Sequence, residues 1–568
     1  MILNPKLHKQ ASFTLTANVN TKQLLQVIYR TQHSQVKDTS DQPKIKVSSV
    51  ISRMAFFYEK IRNVVEYKEE YLLRKEAIKR ILRREIVIEG DTKECQAAEI
   101  SEHLLTELIR GGYLPNNQLP MTLIDEVAVI IKKYLVIKNI AAPSISKEIS
   151  KDLTKRDLRE IRDEIANHNQ LIDWLMAVAA SEIEARLCQD PVLNQAIKNL
   201  YEYLSANIQL VDQQELAKDL PIQIYLSINR NFAKLDDDML SFILLKYYIA
   251  GWQSLPESRW PAIAKNIEKI RRAINSQLKN PLAEPLNKIT SRYAVATSVL
   301  LELLRQDPIG VYTNLKTDPK SFPRQIKKIC EKKYTKAKNL LWRAASRSII
   351  YIFITKGILV VLLEVPANKL FGAEIEPLAL LFNALFPPAL LFFSVLVTKV
   401  PDESNTERII NLVNELSFEE YKRSEPIPLK IPQRKASFVR QIFNFFYGLT
   451  FIITFGAIIW LLSIFHFTWV SILIFLFFLV FVSFFIIRIK RATNELRVIE
   501  EKESLWRTLF DLFSLPVISV GKYLSEKFNK INVFAFFLDF IIETPFKFLV
   551  NMAEDWTNYV NERKNQIS

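Results

Sequence analysis

The chain has 568 residues, of which 49% are hydrophobic and 24% charged, and it carries a net charge of +15. This balance excludes a disordered chain and a chain that is apolar throughout. Only 10 glycines are present, which is few for an enzyme built on phosphate or dinucleotide loops. The three cysteines, Cys95, Cys188 and Cys330, lie too far apart to indicate a disulfide framework or a zinc site.

Apolar residues recur every three or four positions along most of the first 323 residues, which predicts a large all-α region. Gly111-Gly112 is typical of a helix end. Asp190-Pro191 is typical of a helix start, and Asp236 to Asp238 complement the positive end of the next helix. Glu85 to Glu89 is a candidate short strand, but it is isolated from any other strand-like segment. The soluble region is therefore predicted to be helical.

Long apolar runs occur only between Ser348 and Ile487. Four of them reach the roughly 17–25 residues needed to cross a bilayer. The predicted spans are Ser348–Val365, Pro377–Thr398, Gln441–Ile464 and Trp469–Ile487. The fold class is therefore all-α, with a large cytoplasmic helical region, then a four-helix transmembrane segment, then an amphipathic helical tail. The predicted divisions are a mobile arm at 1–48, a cytoplasmic helical region at 49–323, a basic juxtamembrane segment at 324–347, a four-span segment at 348–490 with a cytoplasmic loop at 399–440, and a cytoplasmic tail at 491–568.

The segment directly before the first span is strongly basic. It contains nine lysines and arginines against one acid, Glu331, which accounts for more than half of the chain's +15. Anionic lipid headgroups are the expected contact of this segment. The candidate residues are Arg324, Lys327, Lys328, Lys332, Lys333, Lys336 and Lys338. Further basic residues precede the third span and follow the fourth, so the positive-inside rule places both termini in the cytoplasm.

Three polar residues lie inside the predicted spans. Lys356 is near the middle of the first span, and Glu364 follows about 80° further around an α-helix. The lysine is either a functional group or a side chain that reaches back to the cytoplasmic surface. Asn383 either satisfies freed carbonyls or lines a polar cavity. Pro387-Pro388 is expected to kink or break the second span, because two backbone donors are lost.

The tail contains a polar stripe that repeats every four residues, at Asp539, Glu543, Lys547 and Asn551. Aromatic and aliphatic residues fill the other positions, so an interfacial helix is predicted. A fifth span would bury three charges at roughly 2.5–3.5 kcal/mol each. Packing against the soluble region is the remaining alternative.

No phosphate loop, serine-hydrolase elbow or zinc-protease motif occurs in the sequence, so no enzyme activity and no cofactor are predicted. The favoured hypothesis is a non-catalytic interaction or scaffold protein, held at the cell membrane by several spans. The alternative is a transporter or channel subunit that uses Lys356 and the Pro387-Pro388 break. Anionic lipids and a protein partner of the helical region are expected, nucleic acid is disfavoured, and a homo-oligomer is left open.

The tail prediction has a direct labelling test. In a cysteine-free background, cysteines at Asp539, Glu543 and Asn551 should react with a membrane-impermeant thiol reagent from the cytoplasmic side, while those at Leu538 and Ile542 stay protected. Labelling near Asn561 only from outside would instead identify a fifth span.

Overall fold

A computed structural model describes residues 16–34, 43–47, 69–89, 97–141, 155–211, 214–317, 321–370, 377–431, 437–499 and 505–530, with five further residues between 552 and 563. These residues are helical almost throughout, which confirms the all-α class. The predicted interfacial residues Asp539, Glu543, Lys547 and Asn551 lie outside the described residues.

The first part of the chain contributes eleven described α-helices. They are α1 (Val19–Ser34), α2 (Glu70–Arg83), α3 (Ala97–Arg110), α4 (Thr122–Ala141), α5 (Lys155–Leu187), α6 (Pro191–Asn207), α7 (Leu220–Asn231), α8 (Asp237–Tyr248), α9 (Trp260–Leu278), α10 (Ala283–Gln306) and α11 (Pro308–Thr317). Two three-residue strands, β1 (Ile208–Leu210) and β2 (Ile427–Leu429), pair in parallel with Ile208 opposite Ile427.

The second part contains the long apolar helices. They are α12 (Ser321–Leu359), α13 (Val365–Leu370), α14 (Pro377–Leu396), α15 (Glu403–Ser417), α16 (Ser437–Ile464), α17 (Trp469–Asn494) and α18 (Leu505–Lys530). A π-helical segment, Val360–Glu364, joins α12 to α13 without a break. The described residues fall into two compact units. One lies within Gln23–Thr290 with Glu425–Ile431, and the other within Met1–Lys22, Ser291–Ser424 and Pro432–Asp539.

Several helix boundaries follow the predicted capping signals. Helix α3 ends at Arg110, and Gly112 adopts the left-handed conformation with φ of 73° that glycine tolerates. The Asp190 carboxylate caps α6 by accepting from the backbone N–H groups of Val192 and Leu193. The Asp236 carboxylate caps α8 in the same way, by accepting from the backbone N–H of Met239. The caps fix where these helices begin because they satisfy donors that have no partner inside the helix.

Two predictions for the soluble region are wrong. The mobile arm contains helix α1, because Leu24, Leu25 and Ile28 form an apolar face that is buried. Glu85–Glu89 is π-helical rather than a strand, and continues α2.

Burial alone would raise the pKa of Glu85, but hydrogen bonds and charge from His103 and Arg84 outweigh it and lower the pKa to about 2.

A buried polar network lies in the core formed by α2, α3, α4, α5, α8 and α9. Glu182 on α5 accepts from Lys133 Nζ at 2.7 Å, from the Tyr134 hydroxyl at 2.9 Å and from Trp252 Nε1 at 2.7 Å. The lysine ammonium also lies 4.4 Å from the Trp252 ring centroid. One carboxylate therefore satisfies three buried donors, two from α4 and one from Trp252.

Replacing this carboxylate should destabilise the unit that contains Gln23–Thr290, which we call the helical unit. Glu182→Ala leaves three buried donors without their acceptor, and removing one member of a buried pair costs about 3–5 kcal/mol. We expect the thermal unfolding midpoint of the full-length protein in detergent to fall by at least about 6 °C.

The exposed neighbouring pair Lys132–Glu257 supplies the control. Because exposed ion pairs contribute about 0–1 kcal/mol, Glu257→Ala should leave the midpoint nearly unchanged. Equal shifts in the two variants would contradict the proposed role of Glu182.

Candidate intramembrane site

Four described helices are long and apolar enough to cross a membrane. They are Ser321–Leu370, Pro377–Leu396, Gln441–Ile464 and Trp469–Arg491. Three match the predicted spans closely, whereas the first is one continuous helix of 50 residues that includes the whole basic segment. These helices define the chain as an α-helical, multi-pass membrane protein.

Hydrogen bonds identify the two ends of this bundle. At one end, Arg497 donates to the Lys399 carbonyl at 2.6 Å, so the connections after the second and fourth spans meet. Asn405 of α15 joins them through the Leu496 carbonyl and the Tyr334 hydroxyl of α12. At the other end, Thr468 donates to Asn368 at 2.8 Å. The basic segment and two of the later connections therefore lie at the same end.

Polar side chains from two helices are buried inside the bundle, two from the first span and one from the second. Lys356, Glu364 and Asn383 are each 0% exposed. Burying polar side chains of this size in hydrocarbon costs free energy. The three residues belong to α12, the π-helical segment and α14. We call these three residues the intramembrane cluster. The sequence identified all three, and the tertiary structure buries them together.

The π-helical segment explains why Glu364 faces the same way as Lys356. In an unbroken α-helix the two residues would differ by about 80°. A π turn takes up one extra residue, which shifts the following residues back by about 100°. Glu364 therefore lies within about 20° of Lys356 on the buried face of the first span.

Lys356 does not extend to the membrane surface. Its ammonium lies 4.3 Å from the ring centroid of Phe478, which is near the middle of α17. The side chain is fully buried, and its Nζ has no hydrogen-bond partner among the described residues. The structure therefore contradicts the alternative in which this side chain reaches back to the cytoplasmic surface.

Glu364 and Asn383 are joined directly. Asn383 Nδ2 donates to Glu364 Oε1 at 2.7 Å, and it lies 3.4 Å from the Ser471 carbonyl at the start of α17. The second oxygen of each side chain, Glu364 Oε2 and Asn383 Oδ1, has no partner within the described part of the chain. The cluster therefore retains two unused acceptors and one unused ammonium.

A second polar group extends the cluster toward the far end of the bundle. The Thr468 hydroxyl lies 2.8 Å from Asn368 Oδ1 and 2.9 Å from the Ser471 hydroxyl, and it caps α17 by accepting from the Ser471 N–H. Asn368 is 1% exposed. Sequence reasoning missed these residues. The Thr-x-x-Ser spacing before an apolar run signals a helix cap, but it does not reveal the partner.

Helix α14 is continuous through Pro387 and Pro388, so the predicted break is wrong. Both prolines are buried in a helix that packs against α12 and α17. The missing N–H groups still leave the carbonyls of Asn383 and Ala384 without their usual helical donors. One of these two carbonyls belongs to a member of the intramembrane cluster.

The basic segment extends away from the spans as part of α12. Residues 324 to 333 lie about 22–36 Å along the helix axis from Ser348, at 1.5 Å per residue. Lys327 forms an ion pair with Glu403 of α15, and Lys333 with Glu302 of α10 at 2.8 Å. Two of the seven lipid candidates are thus held by carboxylates of the protein.

The described part of the tail packs against the spans. The Thr454 hydroxyl of α16 donates to the Phe513 carbonyl of α18 at 3.4 Å. A Cβ on Gly521 would lie 2.4 Å from the Val480 carbonyl, so only glycine allows α18 to approach α17 this closely. The prediction of a wholly cytoplasmic tail is therefore corrected for Leu505–Lys530, because Thr454 and Val480 are interior span residues.

Comparison with protein-family models, with curated proteins and with solved structures gives no match.

The two ends of the bundle predict opposite labelling. In a cysteine-free full-length protein, we expect a membrane-impermeant thiol reagent to reach a cysteine at exposed His466 from outside intact cells. A cysteine at exposed Lys399 should react only after permeabilisation, because it belongs to the basic end. Reaction of both positions from the same side would refute the four-span arrangement.

Proposed function

We propose that this protein is a membrane-anchored docking protein that holds an acidic protein partner at the cytoplasmic surface. One observation supports the proposal, a row of unpaired cations along the exposed face of α12. Arg324, Lys328, Lys332 and Lys336 recur every four residues, and all are exposed. We call them the cationic row. Residues four apart lie on neighbouring turns about 6 Å apart, so the row forms a continuous positive strip.

Nothing in the described structure neutralises this strip. The cationic row has no ion-pair partner among the described residues, whereas Lys327 and Lys333 on the flanks of the same helix are paired. Viewed down the helix axis, the cationic row winds in one direction from Arg324. Glu331 lies about 20° from Arg324 in the opposite direction. The packing of α12 therefore leaves four cations available for a partner.

The distance from the first span argues against the bilayer as the partner of the distal row. Arg324 lies about 36 Å along the axis from Ser348, whereas electrostatic attraction to headgroups decays over about 8 Å at physiological salt. We propose that headgroup contact is confined to Arg343 and Arg347, next to the span. These two arginines replace the seven lipid candidates proposed from sequence, which all lie further from the span.

An acidic helix is the complementary partner. Carboxylates every four residues repeat at the same spacing as the cationic row and form a ladder of charge pairs.

The test uses full-length protein in nanodiscs of neutral lipid and a labelled helical peptide with glutamate at every fourth position. We expect binding by wild type and a Kd about tenfold higher for Arg324→Gln/Lys328→Gln/Lys332→Gln. The triple variant loses three exposed charge pairs with the peptide, at roughly 0.5 kcal/mol each, and their sum corresponds to this change in Kd.

The matched control removes three exposed cations from α9, by Lys265→Gln/Lys269→Gln/Arg272→Gln. This variant has the same net charge and should bind like wild type. Equal weakening of both triple variants, dependence on anionic lipid, or tighter binding of single-stranded RNA would each overturn the proposal.

A second candidate function is transport across the membrane, as a transporter or channel subunit. It is favoured by the intramembrane cluster, since ionisable residues inside a span mark ion pathways in many membrane proteins. The two candidates use different parts of α12, and one does not exclude the other.

A further inference from the structure

The intramembrane cluster has an unusual set of unsatisfied atoms. Lys356 Nζ, Glu364 Oε2 and Asn383 Oδ1 all lack hydrogen-bond partners in the described structure, and all belong to side chains that are 0% exposed. Buried polar atoms in proteins are nearly always paired, so each exception needs an explanation. Three exceptions within one group of contacting helices point to a ligand rather than to imperfect packing.

Among the described residues, α14 and α17 bring no other ionisable side chain to the cluster, and Asp511 and Lys522 of α18, which packs against α17, are exposed. Helix α14 carries no ionisable residue, and α17 carries none between Trp469 and Ile487, its basic residues lying at the opposite end. Lys369 of α13 is exposed rather than directed inward. The charge of the buried site is therefore set by Lys356, by Glu364 and by whatever binds between them.

The unused acceptors are the kind that hard cations prefer. Glu364 Oε2 and Asn383 Oδ1 are oxygens, and the backbone carbonyl of Asn383 lacks its helical donor because residue 387 is proline. With a single carboxylate, the site suits one positive charge. A divalent ion would leave an uncompensated charge in a dry bundle, which is costly.

We propose that the intramembrane cluster binds a small monovalent cation in exchange for a proton from Lys356. The cation coordinates Glu364 and Asn383 through their free oxygens. One N–H bond of the Lys356 ammonium breaks, its electron pair stays on the nitrogen, and the proton leaves to water. An ammonium and a carboxylate thus become a neutral amine, a carboxylate and the cation, so the net charge of the site is unchanged.

Charge conservation is the physical reason for coupling the two events. Adding a cation while the ammonium remains charged would leave a net positive charge in low dielectric. Releasing the proton without a cation would leave a net negative one. Exchange avoids both states. This inference supplies the ligand class for the transport candidate, and it does not depend on docking at the cationic row.

The experiment measures binding in the purified full-length protein, using sodium as the probe, with lithium and potassium in parallel and choline at equal ionic strength as the reference. We expect sodium to raise the thermal unfolding midpoint above the choline value. In weakly buffered solution, a pH-sensitive dye should report release of about one proton per protein as sodium binds.

Two variants separate the roles of the charged residues. Glu364→Gln should raise the sodium concentration at half-effect at least about tenfold and abolish proton release, because it removes the anionic ligand. Lys356→Arg, whose guanidinium keeps its proton, should abolish both the stabilisation by sodium and the proton release, because the charge of the cation is then not compensated. Lys369→Met, which removes an exposed lysine nearby, should behave like wild type.

The proposal is overturned if wild type responds equally to choline and to the alkali cations, or if sodium binds without proton release. It is also overturned if Lys356→Arg binds sodium and releases protons as wild type does. A Glu364→Gln protein that fails to fold leaves these wild-type and Lys356→Arg measurements decisive. Loss of cation binding would leave docking at the cationic row untouched, since that test uses different residues and a different ligand.

Discussion

The cost of placing polar groups in hydrocarbon governs the arrangement of the membrane unit. The first span carries both a lysine and a glutamate, and each would cost roughly 2.5–3.5 kcal/mol or more if exposed to lipid at the bilayer centre. One face of this helix must therefore be covered by protein. Helices α14 and α17 provide the cover through Asn383, Phe478 and the Ser471 carbonyl. The π-helical segment places Glu364 on that same face.

The same helix determines how the water-exposed elements are attached. Because Ser321–Leu370 is continuous, the span and the basic segment behave as one rod. Asn405 links this rod to the segment after the fourth span. Its Nδ2 donates to the Tyr334 hydroxyl of the rod, and its Oδ1 accepts from the Val498 N–H at 2.7 Å. Connections from two later spans are thereby fixed to it. A partner bound along α12 would be held at a defined distance from the membrane.

The helical unit follows a related rule with a different outcome. Its core also buries charges, and those at its centre are paired with each other. Glu184 accepts from Arg74 in a bidentate contact at 2.8 and 2.7 Å, and Glu182 satisfies three donors. Complete pairing of this kind favours one arrangement of helices over others. In the intramembrane cluster, by contrast, a lysine, a glutamate and an asparagine that are each 0% exposed all keep an unpaired atom, which is the reason to assign them a ligand.

The sequence by itself determined the helical class, the positions of the four spans and the helix ends at Arg110, Pro191 and Asp237. Those features depend on local patterns, namely apolar runs, helical periodicity and capping residues. It also identified Lys356, Glu364 and Asn383, because charged and amide side chains stand out in apolar runs. Only the tertiary structure decided that these residues meet, since a π turn and the register between helices set their directions. It also decided that α14 continues through Pro387 and Pro388, and that the basic segment is a rod rather than a surface patch, because packing and helix continuity are non-local properties.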